Sequence, residues 1–315
     1  MDKCAVAFIG AGSMTREHAR AFAAVPGVRL AGIHSRTRAR AEALSKALAI
    51  GPVADSIAEL HEKSRAQLVV VSVPELSAAP VLAECFRHDW TVLAEKPAGY
   101  DLADAERIAA EAARLKRRAF VALNRRHYSA TRNAQKKLEG DSGPRFIRIQ
   151  DQQDPVAARA AGQPEKVAAN WMYANSIHVI DYFKVFGRGA VTSVEPIVPW
   201  NPARPGVVLA KVSFASGDLG LYEGVWDGPG PWAATVSTPS QRLEMRPLES
   251  LAVQKRGERR LDPQPVEEWD IAFKAGFRQQ AEKAVAAAQG KDTDLPTLAE
   301  GVETMRLVSR VFGAG

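Results

Sequence analysis

Cysteine is scarce in this sequence of 315 residues, which contains only Cys4 and Cys85, both in apolar stretches without a neighbouring histidine. No Cys-x-x-Cys pair and no Cys/His cluster with metal-ligand spacing is present, so neither a metal site nor a disulfide framework is predicted. We expect two buried thiols in a reducing compartment, the cytoplasm. The Gly-x-Ser-x-Gly turn that carries the nucleophile of many hydrolases is also missing.

Long apolar runs are missing as well, since no stretch reaches the roughly 20 residues that a membrane-spanning helix needs. The N-terminal residues Met1-Asp2-Lys3 lead directly into an apolar segment and show no signal-peptide pattern. The net charge is +6, but the basic residues are scattered among acids and form no stripe with aromatic residues. We therefore expect neither a membrane nor a nucleic acid as partner, and at most a modest preference for anionic ligands.

Strands and helices alternate regularly over the first 123 residues. The predicted strands are Cys4–Ile9, Val28–His34, Gln67–Val73, Trp90–Ala94 and Ala119–Leu123. The predicted helices between them are Thr15–Ala24, Thr37–Leu48, Ile57–Glu62, Ser77–His88 and Leu102–Arg117. This alternation is typical of an α/β fold with a doubly wound parallel sheet, so residues 1–123 are predicted to form the first domain.

The pattern changes after residue 123, which predicts a second domain over residues 124–315. Strands without intervening helices follow one another here, which indicates an α+β domain with a large, mostly antiparallel, open sheet. The predicted strands are Phe146–Gln150, Val191–Val198, Val207–Phe214, Leu219–Trp226, Trp232–Ser237, Arg242–Met245 and Leu251–Lys255. The predicted helices are Ser129–Leu138, a long one at Asn170–Phe186, Trp269–Gln289 and Thr297–Phe312, and residues 151–169 are predicted to be a polar connection.

A glycine-rich turn opens the chain between its first strand and first helix. Gly10 and Gly12 lie one residue apart and are followed by Ser13 and Met14, while Thr15 occupies the place where a third glycine is common. Two glycines in this setting allow a tight turn and direct the amide groups of the next helix toward a pyrophosphate. We therefore predict a dinucleotide site that includes Gly10, Gly12, Ser13 and Met14.

The end of the second strand bears on the choice of cofactor. An acid at this position would bind the ribose 2′-hydroxyl of NAD, whereas this chain has Ser35 and Arg36, which suit a 2′-phosphate. The sequence therefore favours NADP(H). The alternative is that Arg36 stacks on the adenine and that the site accepts NAD.

Glu95-Lys96-Pro97 closes the predicted strand Trp90–Ala94. Strands of open parallel sheets end at ligand crevices, and the fixed φ of Pro97 restrains the lysine that precedes it. Lys96 is therefore placed to contact a bound molecule with its ammonium group. The alternative is a solvated lysine at a strand end.

Four elements in this order resemble the Gfo/Idh/MocA family of NAD(P)-dependent oxidoreductases, and the resemblance covers essentially the whole chain. They are Gly10-Ala11-Gly12-Ser13-Met14 with His18, Glu95-Lys96-Pro97, Asn124-Arg125-Arg126, and His178 with Asp181. The resemblance implies an N-terminal Rossmann domain, a sugar, inositol or nucleotide-sugar substrate, and a homodimer or homotetramer formed through the C-terminal sheet. It implies hydride transfer between nicotinamide and a secondary alcohol or ketone.

The resemblance also assigns roles to individual residues. Lys96 resembles the family's active-site lysine and His178 its general acid/base. Further cofactor contacts are expected from Val73, Pro74, Glu95 and Asn124, and substrate contacts from Arg126, Trp171, Tyr173 and Asn175. Histidine suits proton transfer because it titrates near neutral pH. Core packing explains His178 and the aromatic residues as an alternative.

The chain departs from the family pattern next to His178. Ala174 stands where dehydrogenases of this family usually carry an aspartate, and its side chain can neither ionise nor hydrogen-bond. Asn175, three residues before His178 on a helix, could orient substrate or imidazole. Glu75 and Ala78 also replace an asparagine and a histidine that are common in the family. Two alternatives stay open: a cofactor-bound sensor without catalysis, and glycoside cleavage by transient oxidation.

Overall fold

The structure is a computed structural model that describes residues 4–313, and it contains two compact units. Unit 1 comprises residues 4–127 and 269–302, and unit 2 comprises residues 128–268 and 303–313. The division into 1–123 and 124–315 stays a prediction; it treats both domains as continuous, whereas residues 269–302 pack with unit 1. The predicted absence of a signal peptide rests on Met1 to Lys3, which lie outside the described residues.

The first part of the chain alternates strands and helices, as predicted. Its strands are β1 (Cys4–Ile9), β2 (Val28–His34), β3 (Val53–Ala54), β4 (Leu68–Val71), β5 (Thr91–Ala94) and β6 (Ala119–Val121). Its helices are α1 (Ser13–Ala23), α2 (Arg38–Leu48), α3 (Ile57–Ser64), α4 (Glu75–Cys85) and α5 (Leu102–Arg114), and a 3₁₀ turn follows at Asn124–His127. Ser56 and Asp101 cap α3 and α5 by accepting hydrogen bonds from backbone N–H groups at 3.0 and 2.8 Å.

The second part of the chain contains most of its strands in uninterrupted succession. The helices are α6 (Ser129–Leu138), α7 (Pro155–Ala160), α8 (Glu165–Ala168), α9 (Ile177–Ile180), α10 (Tyr182–Phe186), α11 (Glu268–Ala272), α12 (Phe277–Ala288) and α13 (Leu298–Phe312). A π-helical segment spans Met172–Ser176. The strands are β7 (Phe146–Gln152), β8 (Val191–Val198), β9 (Val207–Phe214), β10 (Leu219–Val225), β11 (Ala233–Ser237), β12 (Gln241–Met245), β13 (Ala252–Lys255) and β14 (Asp262–Pro263).

Unit 1 is built on a six-stranded sheet in the order β3-β2-β1-β4-β5-β6, in which every pair of neighbours is parallel. Chain order reverses between β1 and β4, which is the point where ligands bind at the carboxyl ends of such sheets. This is the Rossmann arrangement, and it confirms the predicted doubly wound sheet.

The core of unit 1 joins the start of the chain to its C-terminal part. Phe8 of β1 and Phe22 of α1 meet edge to face with ring centroids 6.1 Å apart. Phe277 and Ala281 of α12 are buried in the same cluster. Each fully buried phenylalanine stabilises the fold by about 1.5–3 kcal/mol relative to an exposed one, so α12 is a structural part of this unit.

Unit 2 is built on an eight-stranded sheet in the order β14-β13-β12-β11-β7-β10-β9-β8. Only β7 and β10 pair in parallel, so the predicted large and mostly antiparallel sheet is confirmed. Buried and more exposed side chains alternate along β9 and β10, as expected for a sheet with one face in the core.

Two predicted long helices are wrong. The helix predicted at Trp269–Gln289 is interrupted by Gly276, which has φ +77 and donates its N–H to Asp270 at 2.7 Å. The helix predicted at Asn170–Phe186 is divided into the π-helical segment, α9 and α10. The polar connection predicted at 151–169 contains the end of β7 as well as α7 and α8.

Both cysteines are buried as free thiols, and burial raises the pKa of each above its ordinary value. Within residues 4–313, every helix is too short or too polar to cross a lipid bilayer.

Candidate functional site

The two glycines of the first turn serve different purposes. Gly10 has φ +105, and a Cβ added there would lie 2.0 Å from the carbonyl oxygen of Ser72 at the end of β4. Gly12 has an extended backbone, and an added Cβ would have no heavy atom within 4 Å. Gly10 is therefore required by the protein's own backbone, whereas Gly12 leaves open space in front of α1.

The turn forms one wall of a cleft of about 190 Å³ at the carboxyl ends of β1, β2 and β4. It is lined by Ile9, Gly10, Ala11, Gly12, His34, Ser35, Arg36, Thr37, Arg40, Ser72, Val73, Pro74, Ser77 and Val81. Six of the predicted cofactor residues are thus brought together: Gly10, Gly12, Ser35, Arg36, Val73 and Pro74. Ser13 and Met14 lie in the first turn of α1, outside this lining, and no side chain caps that helix.

The charge at the end of β2 is positive. Arg36 and Arg40 both line the cleft, and neither forms a hydrogen bond or an ion pair with an acid in the part of the chain that the structure describes. Arg38, between them in sequence, pairs with Glu42 at 2.8 Å and with Asp55. Arg40 was not predicted; it lies in the first turn of α2, and Thr37 at the start of that helix also lines the cleft.

Glu95 follows β5 and forms a partly buried pair with His18 of α1. The imidazole Nε2 lies 2.6 Å from the carboxylate Oε1, and the His18 ring packs on Phe277 with centroids 4.5 Å apart. The other carboxylate oxygen accepts the backbone N–H of Lys96 at 3.1 Å. Glu95 is therefore fixed from two sides, and it restrains the backbone of the lysine that follows.

Opposing effects set the pKa of Glu95. Burial raises it, but the hydrogen bond from His18 and the electrostatic effects of His18 and Lys96 outweigh burial and hold the pKa below its usual value. The carboxylate is therefore ionised over the physiological range.

Glu95→Gln is expected to change how stability depends on pH. A carboxyl group whose pKa is lowered on folding stabilises the protein above its unfolded pKa of about 4.3, and this contribution is lost as pH falls toward the lower folded value. The difference in unfolding free energy between wild type and Glu95→Gln should therefore shrink between pH 6 and pH 3. Urea titrations at several pH values measure it, and a constant difference would contradict this account.

Lys96 lies at the same edge of the sheet, half-buried after β5. Burial lowers the pKa of its ammonium group, and the charges of Arg125 and Lys274 lower it further, against the opposing effects of Glu95 and Glu75. The peptide bond between Lys96 and Pro97 is cis. A lysine in this environment releases its proton more readily than a solvated one, which suits a group that exchanges protons with a ligand.

Asn124 and Arg126 belong to the 3₁₀ turn after β6. The Asn124 side chain is buried and donates its amide N–H to the carbonyl oxygen of Ala275 at 3.1 Å. Its described role is thus to hold residues 269–302 within unit 1, and its predicted cofactor contact stays a prediction, as does the substrate contact of Arg126.

Unit 2 has a separate open cleft of about 460 Å³. It is lined by Gln152, Gln153, Asp154, Ala157, Ala158, Trp171, Asn175, Gly230 and Trp232. Two predicted substrate residues, Trp171 and Asn175, are therefore brought together. Gln153 was not among the predicted site residues, and no short sequence motif points to it.

Tyr173 and His178 lie outside the lining of the unit 2 cleft. Both are buried, with exposed fractions of 7% and 9%, and Ala174 is buried beside them at 3%. The N–H of Ile177 bonds to the carbonyl oxygen of Met172, five residues earlier, so the α-helical spacing assumed between Asn175 and His178 does not hold. The catalytic role of His178 stays a prediction. Among residues 4–313, no group of three or more metal-ligating side chains is arranged to hold an ion.

Comparisons with known proteins agree with this geometry. Residues 4–123 match the model of the Gfo/Idh/MocA family, described as an oxidoreductase family with an NAD-binding Rossmann fold. An inositol 2-dehydrogenase from Rubrobacter xylanophilus is 32% identical over 112 residues, which are 35% of this chain and 32% of that protein. The match thus spans about a third of the relative's length.

Solved structures share the fold over the full chain. A dehydrogenase from Chromobacterium violaceum has a TM-score of 0.85 at 17% identity, covering 100% of this chain and 95% of that one. Levoglucosan dehydrogenase, solved with NADH and levoglucosan, has a TM-score of 0.82 at 15% identity, covering 99% and 97%. Residues 4–123 therefore match the model of the Gfo/Idh/MocA family of oxidoreductases, and the chain shares its fold with these solved structures over its full length.

Proposed function

We propose that this protein is an NADP(H)-dependent dehydrogenase that transfers a hydride between the nicotinamide and a CH–OH carbon of a sugar or polyol. The observation that carries the proposal is the position of Lys96, whose pKa is lowered, at the sheet edge that also forms the glycine-lined cleft. The matched relative is an inositol 2-dehydrogenase, and one structural neighbour was solved with the sugar levoglucosan, which supports this substrate class.

The residues of unit 1 fit a bound dinucleotide. Gly12 leaves space at the start of α1, where uncapped N–H groups favour a pyrophosphate. The nicotinamide, when bound, accepts or donates the hydride. Lys96 then stabilises negative charge on the substrate oxygen, and Glu95, anchored by His18, keeps the lysine backbone in place.

His178 is the proposed general acid/base, because oxidation of an alcohol releases a proton as well as a hydride. Ala174 offers no carboxylate to share this task. The proposal therefore assigns the proton chemistry to Lys96 and His178 alone.

Arg36 and Arg40 support NADP(H) over NAD(H). Both line the cleft without an acidic partner among the described residues, while the neighbouring Arg38 is neutralised by Glu42 and Asp55. No carboxylate lines the cleft at the end of β2, where one would bind a ribose hydroxyl and repel a phosphate. Two unpaired guanidinium groups match the charge of a 2′-phosphate.

Arg36→Ala is expected to raise the Kd for NADPH about 10-fold or more and to leave the Kd for NADH nearly unchanged, because a charge-assisted hydrogen bond contributes about 1.5–3 kcal/mol. Arg40→Ala should act in the same direction. Arg38→Ala is the matched control and should change neither constant. Fluorescence titration of both cofactors measures the constants, and equal effects on NADPH and NADH would refute the 2′-phosphate assignment.

The dehydrogenase activity itself is tested by following nicotinamide absorbance with NADP and NAD against a panel of sugars, inositols and nucleotide sugars. Turnover of a secondary alcohol with NADP is the expected result. Tight NADPH binding without turnover of any compound would instead favour a non-catalytic sensor, a second candidate that the replacement of the family's aspartate by Ala174 suggests.

A further inference from the structure

A chain of buried polar groups in unit 2 ends at the wall of the open cleft. Asp151, at 1% exposure in β7, accepts a hydrogen bond from the Tyr222 hydroxyl at 2.8 Å and another from Gln153 Nε2 at 2.6 Å. Gln153, also 1% exposed, accepts the Asn175 Nδ2–H at 2.9 Å through its Oε1. The four residues come from three separate parts of the chain.

The direction of these hydrogen bonds follows from the chemistry of their ends. Burial and the negative charge of Asp151 raise the pKa of Tyr222 well above its ordinary value, so its hydroxyl stays protonated and donates. Gln153 presents its NH₂ group to Asp151, because its Nε2–H donates to the Asp151 Oδ1. Its carbonyl oxygen is then left to accept from Asn175, whose NH₂ group must point inward.

The consequence concerns the other end of the Asn175 side chain. An asparagine without such a partner could present either its NH₂ group or its carbonyl oxygen to a ligand. In Asn175 the Nδ2 is bound to Gln153, so the carbonyl Oδ1 is the group that is left for a ligand. Asn175 is partly exposed and lies in the π-helical segment on the cleft wall. Through Gln153, the buried Asp151 carboxylate therefore fixes a hydrogen-bond acceptor, the Asn175 Oδ1, at the cleft rather than a donor.

Aromatic side chains line the same cleft. Trp171 and Trp232 are both partly exposed there, and the Trp232 indole is held by its Nε1–H, which donates to the carbonyl oxygen of Gln152 at 2.7 Å. Indole faces pack against the apolar C–H groups of a polyol ring, while a fixed acceptor receives one of its hydroxyl groups.

We propose that the unit 2 cleft binds a polyol or sugar, that the Asn175 Oδ1 accepts a hydrogen bond from one substrate hydroxyl, and that Asp151 and Gln153 are positioning residues that fix this orientation. This proposal rests on the proposed dehydrogenase function. It names a specificity element distinct from the residues that carry the proton chemistry.

The hydrogen bonds that connect Tyr222, Asp151, Gln153 and Asn175 are called the relay below. Gln153→Met breaks the relay, because methionine keeps the length of the side chain but lacks the amide group. We expect it to raise KM for the best polyol of a panel that includes myo-inositol and levoglucosan by about 10-fold, the scale of one hydrogen bond to substrate, with kcat within about threefold. The NADPH Kd should not change. Gln150→Met is the matched control, because Gln150 lies on β7, three residues before Gln153, but bonds to Glu223 at 3.0 Å.

Asp151→Asn gives a second and independent readout. The new amide can donate to Gln153 Oε1, which reverses the relay and turns the Asn175 NH₂ group toward the cleft. The wild type should discriminate strongly against the deoxyfluoro analogue of the substrate that replaces the contacted hydroxyl, because fluorine cannot donate. Asp151→Asn should reduce the ratio of KM values between analogue and parent by about 10-fold, the scale of one hydrogen bond.

The outcomes separate the relay from the function on which it rests. Equal KM values for Gln153→Met and Gln150→Met, or an unchanged analogue ratio in Asp151→Asn, overturn the relay and leave the dehydrogenase intact. A wild type that binds NADPH but turns over no member of the panel overturns the proposed function, and the relay with it.

Discussion

Turnover by the Lys96→Met variant is expected to fall at least about 100-fold, the usual scale for a positioned group that handles a proton. Methionine matches the length of lysine but carries neither charge nor proton, so the oxyanion formed on the substrate loses its stabilisation. NADPH affinity should change little. Stopped-flow or steady-state absorbance measures kcat, and cofactor fluorescence measures binding.

The pH profile makes this prediction specific. The pKa of Lys96 is lowered by burial, so reduction of a ketone by the wild type should decline as pH rises through a value below about 10.4, the ordinary value for lysine. The residual activity of Lys96→Met should lack this decline. His178→Ala should lower turnover by a similar factor if the imidazole transfers the substrate proton.

Lys46→Met is the matched control, because Lys46 is exposed on α2 in the same unit. It should keep wild-type kcat and pH dependence. A Lys96→Met enzyme within about threefold of wild type would remove Lys96 from the proton chemistry, since a positioned acid or base contributes far more.

Gly10→Ala is expected to lower the stability of the fold, whereas Gly12→Ala is expected to weaken NADPH binding. An alanine at Gly10 meets the carbonyl oxygen of Ser72 and a positive φ, which together should destabilise the fold by about 2–5 kcal/mol. The melting temperature should fall by roughly 5–15 °C. Cofactor affinity would be lost as a consequence of the damaged turn.

Gly12→Ala should leave the melting temperature within about 2 °C, because its backbone is extended and the added methyl meets no protein atom. It should raise the NADPH Kd about 10-fold or more, because the methyl occupies space that the phosphates need. Differential scanning fluorimetry with and without NADPH separates the two cases. Equal melting temperatures for both variants would contradict the assigned roles.

Strands that are bounded by turn residues could be read from the sequence. The predicted limits of β2, β8 and β9 match the structure, because glycine, proline or serine residues lie just outside the ends of each strand. The glycine turn, Ser35 and Arg36 were found for the same reason, since they follow strands directly. The sequence is therefore sufficient to predict a structural feature that is formed by residues adjacent in the chain.

Features made by distant residues could not be read in this way. Apolar spacing is continuous on both sides of Gly276, so the break between α11 and α12 is hidden within a helical pattern. The π-helical segment depends on a hydrogen bond register that α-helical periodicity does not specify. Asp151 meets Tyr222 across 71 residues of sequence, and no spacing rule links them.

The return of residues 269–302 to unit 1 bears on how the chain folds during synthesis. When residue 127 has left the ribosome, the parallel sheet exists in sequence, but the apolar surface that Phe277 and Ala281 will cover has no partner. All of unit 2's sheet is made before α12 emerges. While residues 128–276 are being synthesised, unit 1 therefore exposes this apolar surface, which makes it prone to aggregation.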